Sequence, residues 1–305
     1  MKSGSNLEIL LARGEFVVTS EIGPPKSADG ASIRKKARML RGYADAFNVT
    51  DNQTAIVRMS SMAGSIFCIQ EGVEPVMQMT CRDRNRIAMQ SDVLGAYALG
   101  VRNLLCLSGD HQRFGNHPDA KNVYDVDSTQ QLMIFKRMRD ECRVWTGDAL
   151  AEAPHMFLGA AANPFADPLE MQVIRLVKKV DAGADFIQTQ AIYDLERFQE
   201  WMGMVRDEGL HRRAYIIAGI LPLKSAKAAH HMASHVPGMS VPDYVLERMN
   251  EAEDQKEEGL RICLETIAAI RKMDGIHGVH LMPVAWESIL PRIVTEAGLY
   301  PRPRP

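Results

Sequence analysis

Short apolar runs alternate with amphipathic stretches along most of the chain. The run Phe16-Val17-Val18-Thr19-Ser20 is followed by a helical pattern over 31–41, and Ala46-Phe47-Asn48-Val49-Thr50 by one over 62–70. Pro75-Val76-Met77-Gln78-Met79 precedes a predicted helix at 85–99. Asn103-Leu104-Leu105-Cys106-Leu107 leads into a long polar loop reaching residue 127 and then a helix at 128–138. The second half repeats the rhythm: an apolar run at 155–159 and a helix at 168–181, a run at 185–189 and a helix at 194–206, then runs at 214–220 and 279–282. Strand-length apolar runs alternating with helices of about 10 to 15 residues indicate βαβ units and a parallel sheet. Eight such strands favour closure into an α/β fold of the (β/α)8 TIM-barrel type, whose reactive face lies at the strand C-termini. The expectation is one domain over residues 1–305. Segment 241–274, charged at 251–258, is expected as a solvated helical insertion before the last strand, and Pro301-Arg302-Pro303-Arg304-Pro305 as a frayed tail.

Composition narrows the classes. Lys and Arg number 36 against 38 Asp and Glu, a net charge of −2, which argues against nucleic acid as a partner. No apolar run approaches the roughly 18 residues of a membrane span, and the N-terminus carries no secretory pattern, so a cytoplasmic location is expected. The 5 cysteines are odd in number, widely spaced and without C-x-x-C, which reads as reduced thiols. His230 and His231 stand together without carboxylate context, so no metal is expected. Neither a G-x-G-x-x-G after a strand nor a P-loop is present.

Polar groups at the ends of apolar strands are the places where a barrel aims side chains into a shared cavity. Glu21, followed by Gly23-Pro24-Pro25, ends the first strand, where it could act as a general acid or simply pair with an arginine. Asp110 follows Gly109 after the fourth strand and could stabilise a developing cation or only open the loop as an Asx turn. Gln188 and Gln190 fall on one face of the sixth strand, suited to a heterocycle or to local packing. Arg175, Lys178 and Lys179 share a helix face that could hold a diphosphate or form an exposed basic stripe.

In order along the chain, these segments resemble the methylenetetrahydrofolate reductase family. The resemblance runs from Glu21 to His280. Its first markers are Glu21 with Pro24-Pro25, Val49-Thr50, Thr80-Cys81 with Asp83, and Gly109-Asp110. Gly159-Ala160-Ala161-Ala162-Asn163-Pro164, Lys179-Val180-Asp181-Ala182-Gly183-Ala184, Thr189-Gln190, Gly219-Ile220-Leu221-Pro222 and Gly278-Val279-His280 follow. The resemblance implies a TIM barrel that binds FAD noncovalently and passes hydride to 5,10-methylenetetrahydrofolate, giving 5-methyltetrahydrofolate. It implies Glu21 as the acid, Asp110 as the carboxylate that stabilises the iminium cation, and Gln190 as a folate contact. Thr50, Gln78, Gly109, Asp110, Ala162, Asn163, Lys178 and Lys179 match its FAD-binding positions. It further implies an oligomer supplied with electrons by NAD(P)H or by a partner subunit.

The chain departs from the family pattern in places. Ser108 stands where the family commonly has Arg, and Gln78 where a His often contacts flavin. Ala226 occupies the position of a nicotinamide-stacking aromatic, and Val284-Ala285-Trp286 that of an Asn-Arg pair. These changes weaken the nicotinamide features more than the flavin and folate ones. Two rivals remain: a pterin-binding barrel that passes a methyl group to a corrinoid protein, and a non-catalytic scaffold subunit of a reductase complex.

Overall fold

The computed structural model describes residues 1–236 and 238–305. Eight parallel strands close on themselves in chain order: β1 (Val17–Ile22), β2 (Ala46–Val49), β3 (Pro75–Thr80), β4 (Asn103–Leu107), β5 (Phe157–Ala162), β6 (Phe186–Ala191), β7 (Tyr215–Ile220) and β8 (Ile276–Leu281). The last strand pairs with the first, Thr19 opposite His280 and Ser20 opposite Leu281. The predicted (β/α)8 barrel is therefore observed.

Among the described residues the helices are α1 (Asn6–Ala12), α2 (Ala31–Leu40), α3 (Ser61–Gln70), α4 (Arg86–Ala98), α5 (Ser128–Asp140), α6 (Leu169–Ala182), α7 (Leu195–Asp207), α8 (Ala226–His235), α9 (Asp243–Glu251), α10 (Gln255–Ile270) and α11 (Leu290–Glu296). Side-chain caps start several of them, because the first N–H groups of a helix lack internal partners. Asp127 and Gln130 form a capping box on α5, and Asn85, Asp194 and Asp254 cap α4, α7 and α10. None of the described helices is long and apolar enough to cross a membrane.

Strand alternation sends every second residue into the barrel. Toward the strand N-termini those positions are apolar: Val17, Val76, Leu105, Phe157, Phe186 and Ile217 pack together. Helix α1 closes that end by adding Leu7, Leu10 and Leu11 to the cluster, although its short pattern had not marked it as part of the barrel. Close packing dictates a small residue in β5, since a Cβ on Gly159 would lie 2.2 Å from the Phe186 ring. That run of small residues also explains why β5 extends to Ala162, beyond the predicted end. β8 starts earlier than predicted, because His277 and Gly278 interrupt its apolar pattern.

Two expectations are corrected. Within 241–274, helix α10 is not solvated: Leu260, Cys263, Ile267 and Ile270 are buried in the main core, so it serves as a barrel helix. The added piece is α9 with α8, which share a smaller cluster built on Leu223, Ala229, Val245 and Met249. The charges at 251–258 join helices: Asp254 caps α10, and Arg248 bridges Glu258 and Glu265. The tail is anchored as well. Arg302 Nη2 meets Asp45 at 2.7 Å and also donates to the Phe16 carbonyl, while Tyr300 stacks on Tyr43.

One buried ion pair ties α5 to the strand ends. Arg139 Nη1 donates to Asp185 Oδ2 at 2.7 Å, and that oxygen also accepts from the Leu158 N–H. Lys2 pairs with the other oxygen. Asp185→Ala removes this partner and leaves Arg139 paired with Asp140 alone, so the expected loss is that of a charged hydrogen bond, about 1.5–3 kcal/mol, below the cost of a wholly unpaired buried charge. An unfolding free energy from urea titration lowered by less than about 1 kcal/mol would count against the assignment.

Candidate active site

The inward positions change character toward the strand C-termini. There Thr19, Glu21, Asn48, Gln78, Gln188 and His280 replace the apolar layer, and a cavity of about 340 Å³ opens above them. Four of these side chains, Thr19, Asn48, Gln188 and His280, form one hydrogen-bonded network. Asn48 Nδ2 donates to Gln188 Oε1 at 2.6 Å, and Gln188 Nε2 returns a bond to Asn48 Oδ1 at 3.2 Å. The same Gln188 nitrogen lies 3.2 Å from Thr19 Oγ1, which in turn sits 2.9 Å from His280 Nδ1.

Gln188 Nε2 also lies 3.4 Å from His280 Nδ1, so two donor groups face that nitrogen. An amide N–H of Gln188 donates to the Thr19 oxygen, so the Thr19 hydroxyl proton is free to donate to His280 Nδ1. The ring proton then sits on Nε2, the nitrogen that faces Glu21 Oε1 at 3.6 Å. Glu21 is 17% exposed by side chain, at the boundary between the buried network and the cavity. Sequence reading recorded His280 only as a marker and missed Thr19 and Asn48. The available signal was a polar residue at alternate positions of otherwise apolar strands.

Cations gather at the other end of the cavity, on α6. Lys179 Nζ donates to the Ala161 carbonyl at 2.6 Å, and Arg175 Nη1 reaches Gln172 Oε1 at 3.5 Å. Neither forms an ion pair among the described residues. Burial and the neighbouring Arg175 charge push the Lys179 pKa below its ordinary value. Two cations without an ion-pair partner among the described residues line this polar cavity, a donor set suited to a polyanionic group.

The expected site residues divide. Glu21, Gln78, Ala162, Asn163, Lys179 and Gln190 line the one cavity. Lys178 does not: it lies in a groove between α5 and α6 with Lys136 and Asp181. The buried positions Gln172, Val173, Leu176 and Val180 set the inner face of α6, and they leave Lys178 on the outer stripe with the exposed Met171 and Ile174. Arg175 takes the place expected of it.

Thr50, Gly109 and Asp110 sit in the loops beside the mouth. Thr50 is buried near Gly23, with its hydroxyl unpartnered. Gly109 holds φ +87, and a Cβ there would come within 3.0 Å of Thr80 and 3.2 Å of Arg82, so both conformation and space require glycine. Asp110 is exposed and accepts from the Thr54 N–H at 3.0 Å, so the structure does not bring it to Glu21. Below these loops a buried scaffold went unread in the sequence. Asp51 accepts from Thr80 N at 2.9 Å and from Arg84 Nη1 at 2.7 Å, while Arg82 clamps Asp83 and the Asp110 carbonyl.

A closed parallel barrel with a polar cavity at its strand C-termini makes this a (β/α)8 protein with a candidate site on the face where such barrels place theirs. The family model for methylenetetrahydrofolate reductase matches residues 6–298, and the chain belongs to that family. It is 26% identical to methylenetetrahydrofolate reductase 2 of Schizosaccharomyces pombe over 95% of this chain and 46% of that protein. It is 24% identical to methylenetetrahydrofolate reductase (NADH) 1 of Arabidopsis thaliana over 98% of this chain and 48% of that one. The chain thus spans about half the length of these curated relatives. Among solved structures, a Clostridium thermocellum protein described as binding two copies of 5-methyl-5,6,7,8-tetrahydrofolic acid shares the fold, with TM-score 0.68 and 14% identity over 96% of this chain and 97% of that one.

The floor network makes a spectroscopic prediction. Imidazole ¹⁵N shifts should show His280 protonated on Nε2, and Thr19→Val should keep that form, because the Gln188 amide nitrogen still faces Nδ1 at 3.4 Å. An Nδ1–H majority in either protein would count against the network.

Proposed function

We propose that the protein reduces 5,10-methylenetetrahydrofolate to 5-methyltetrahydrofolate with FAD as its cofactor. The observation that carries this reading is the single cavity in which Glu21 stands over a hydrogen-bonded floor while Arg175 and Lys179 stand unpaired at the other end. The residues fit the cofactor. Lys179 and Arg175 would hold the diphosphate, Arg175 replacing the Lys178 of the family match, with Gln78, Ala162 and Asn163 lining the same cavity and Thr50 and Gly109 beside it. When bound, FAD supplies the reduced ring that gives hydride to the one-carbon unit of the folate.

The chain's own residues handle the proton and the charge. Glu21 donates its proton to N10 of the folate, which opens the methylene bridge and leaves a cationic iminium at N5. The carboxylate so formed faces the His280 Nε2–H, whose donor geometry the floor maintains. Gln190, half-buried in the cavity wall, offers an amide to the pterin. Asp110, which the family match makes the cation stabiliser, lies exposed beside the mouth on the Thr54 N–H, so that role requires the carboxylate to leave this bond and enter the cavity. Ala226 is buried at the start of α8 with its N–H on Gln255, and it offers no ring for a nicotinamide to stack on. That supports delivery of electrons by a partner subunit over direct use of NAD(P)H.

An anaerobic absorbance spectrum before and after 5-methyltetrahydrofolate is added tests the reading in the reverse direction. The oxidised-flavin band should bleach, and Glu21→Gln should slow bleaching by roughly 10²–10⁴-fold, the usual worth of a general acid. Lys179→Met should weaken FAD retention, whereas Lys178→Met should not. A protein that takes up no flavin on incubation with FAD would sink the proposal.

A further inference from the structure

At the opposite end of the barrel from the candidate site, a cavity of about 740 Å³ lies under the first residues of β7 and β8. Its walls include Tyr215, the segment His211-Arg212-Arg213 that follows α7, and the turn Asp274-Gly275 that leads into His277. The reaction proposed above uses none of these residues. Gly275 holds φ +86, and a Cβ on it would lie 3.1 Å from the His211 Cβ, so that imidazole is packed against the turn.

The seam between β7 and β8 is irregular at this foot. Ile216 stands opposite Ile276, but the next residue, Ile217, stands opposite Gly278, which leaves His277 as an extra residue in β8. Its side chain takes up the gap: His277 Nδ1 accepts from the Ile216 N–H at 3.1 Å. A ring nitrogen that accepts carries no proton, so the neutral imidazole bears its proton on Nε2. The Tyr215 ring meets the imidazole edge to face, with centroids 5.1 Å apart. Two residues along β7, Ala218 is in regular register with Val279, so the imidazole bond secures only the first rung.

The surroundings favour the neutral ring. Burial and the facing His211 push the His277 pKa below its ordinary value, and Asp274 on the same turn pulls it up by less. Glu8 and Asp185, across the cavity, are already engaged: Glu8 accepts from the Ser3 and Gly4 N–H groups, and Asp185 holds Arg139 and Lys2. Arg213 pairs with Asp181, whereas Arg212 forms no ion pair among the described residues and adds positive charge to this wall. An imidazolium has a donor at each nitrogen and no acceptor. Protonation at Nδ1 therefore breaks the bond to Ile216 and sets two N–H groups against each other.

We propose that His277 is a proton-released latch: the neutral ring fastens the foot of β8 to β7, and protonation frees that foot and opens the cavity at this end of the barrel. The latch is whole above about pH 6.5, the ordinary imidazole value, and gives way as the pH falls below it, because the released ring takes up a proton that the latched ring resists.

Amide hydrogen exchange, read by NMR on the whole chain, tests the latch. Between about pH 7.5 and about pH 5 the Ile216 protection factor, which allows for the intrinsic pH dependence of exchange, should fall at least about twofold, the lower end of the worth of one net hydrogen bond, while that of Ala218 holds. The fall should follow titration of the His277 C2–H proton, with a midpoint below about 6.5. His211→Asn removes the facing charge and should move that midpoint upward. His277→Phe keeps a ring against Tyr215 but cannot accept, and should leave Ile216 poorly protected at both pH values. If that variant does not fold, the wild-type comparison decides by itself. An Ile216 protection factor that stays constant while the ring titrates overturns the latch. A ring still neutral at about pH 5 overturns it too. So does loss of protection at Ala218 together with Ile216, which would mark opening of the whole barrel.

Discussion

Closure of the eight-stranded barrel is the constraint on which the site depends. Once each strand is paired on both sides, alternate side chains must enter a space too narrow for solvent, and each must find either apolar neighbours or hydrogen-bond partners. The chain meets this demand in two layers. The lower layer is filled by Val17, Leu105, Phe157, Phe186 and Ile217 under the plug of α1. The upper layer is polar and satisfies itself through the amide pair of Asn48 and Gln188 and the Thr19–His280 contact. A buried polar group without a partner costs about 1–3 kcal/mol, so the upper layer tolerates few alternative side-chain arrangements. That rigidity is what holds His280 in one orientation beneath Glu21.

Above the floor, the site is asymmetric in charge. The loops after β2, β3 and β4 are held together by neutralised pairs, with Asp51 on Arg84 and Asp83 on Arg82. Arg175 and Lys179 on α6 form no ion pair among the described residues, nor does Arg58 in the loop after β2. A cation that is partly desolvated and lacks a counter-ion is held there by the fold, and an anionic ligand relieves that cost when it binds.

The helices contribute by geometry more than by composition. Lys178 and Lys179 are chemically alike and adjacent, yet a rotation of about 100° per residue sends one toward the mouth and the other to an outer groove. Arg175 and Lys179, four residues apart, remain on the same side. The same logic separates α10 from α9. Both lie in a charged stretch, but the apolar spacing Leu260, Cys263, Ile267 and Ile270 commits α10 to the barrel core.

By itself the sequence determined the barrel, because eight apolar runs separated by amphipathic stretches have few ways to bury both faces of a parallel sheet. It also marked Glu21 and Gln190 as polar residues at the ends of apolar runs, each with a plainer alternative, while Asn163 came from the family resemblance; all three line one cavity. Tertiary structure decided what depends on distance between strands far apart in the chain. The Gln188–Thr19–His280 relay joins β6, β1 and β8, and no local pattern encodes it. Likewise, Arg302 looked like part of a loose tail until Asp45 supplied a buried partner, and Asp110 looked like a cavity residue until Thr54 claimed its carboxylate. Periodicity fixes which way a side chain faces on its own element. Only the closed barrel decides what it meets there.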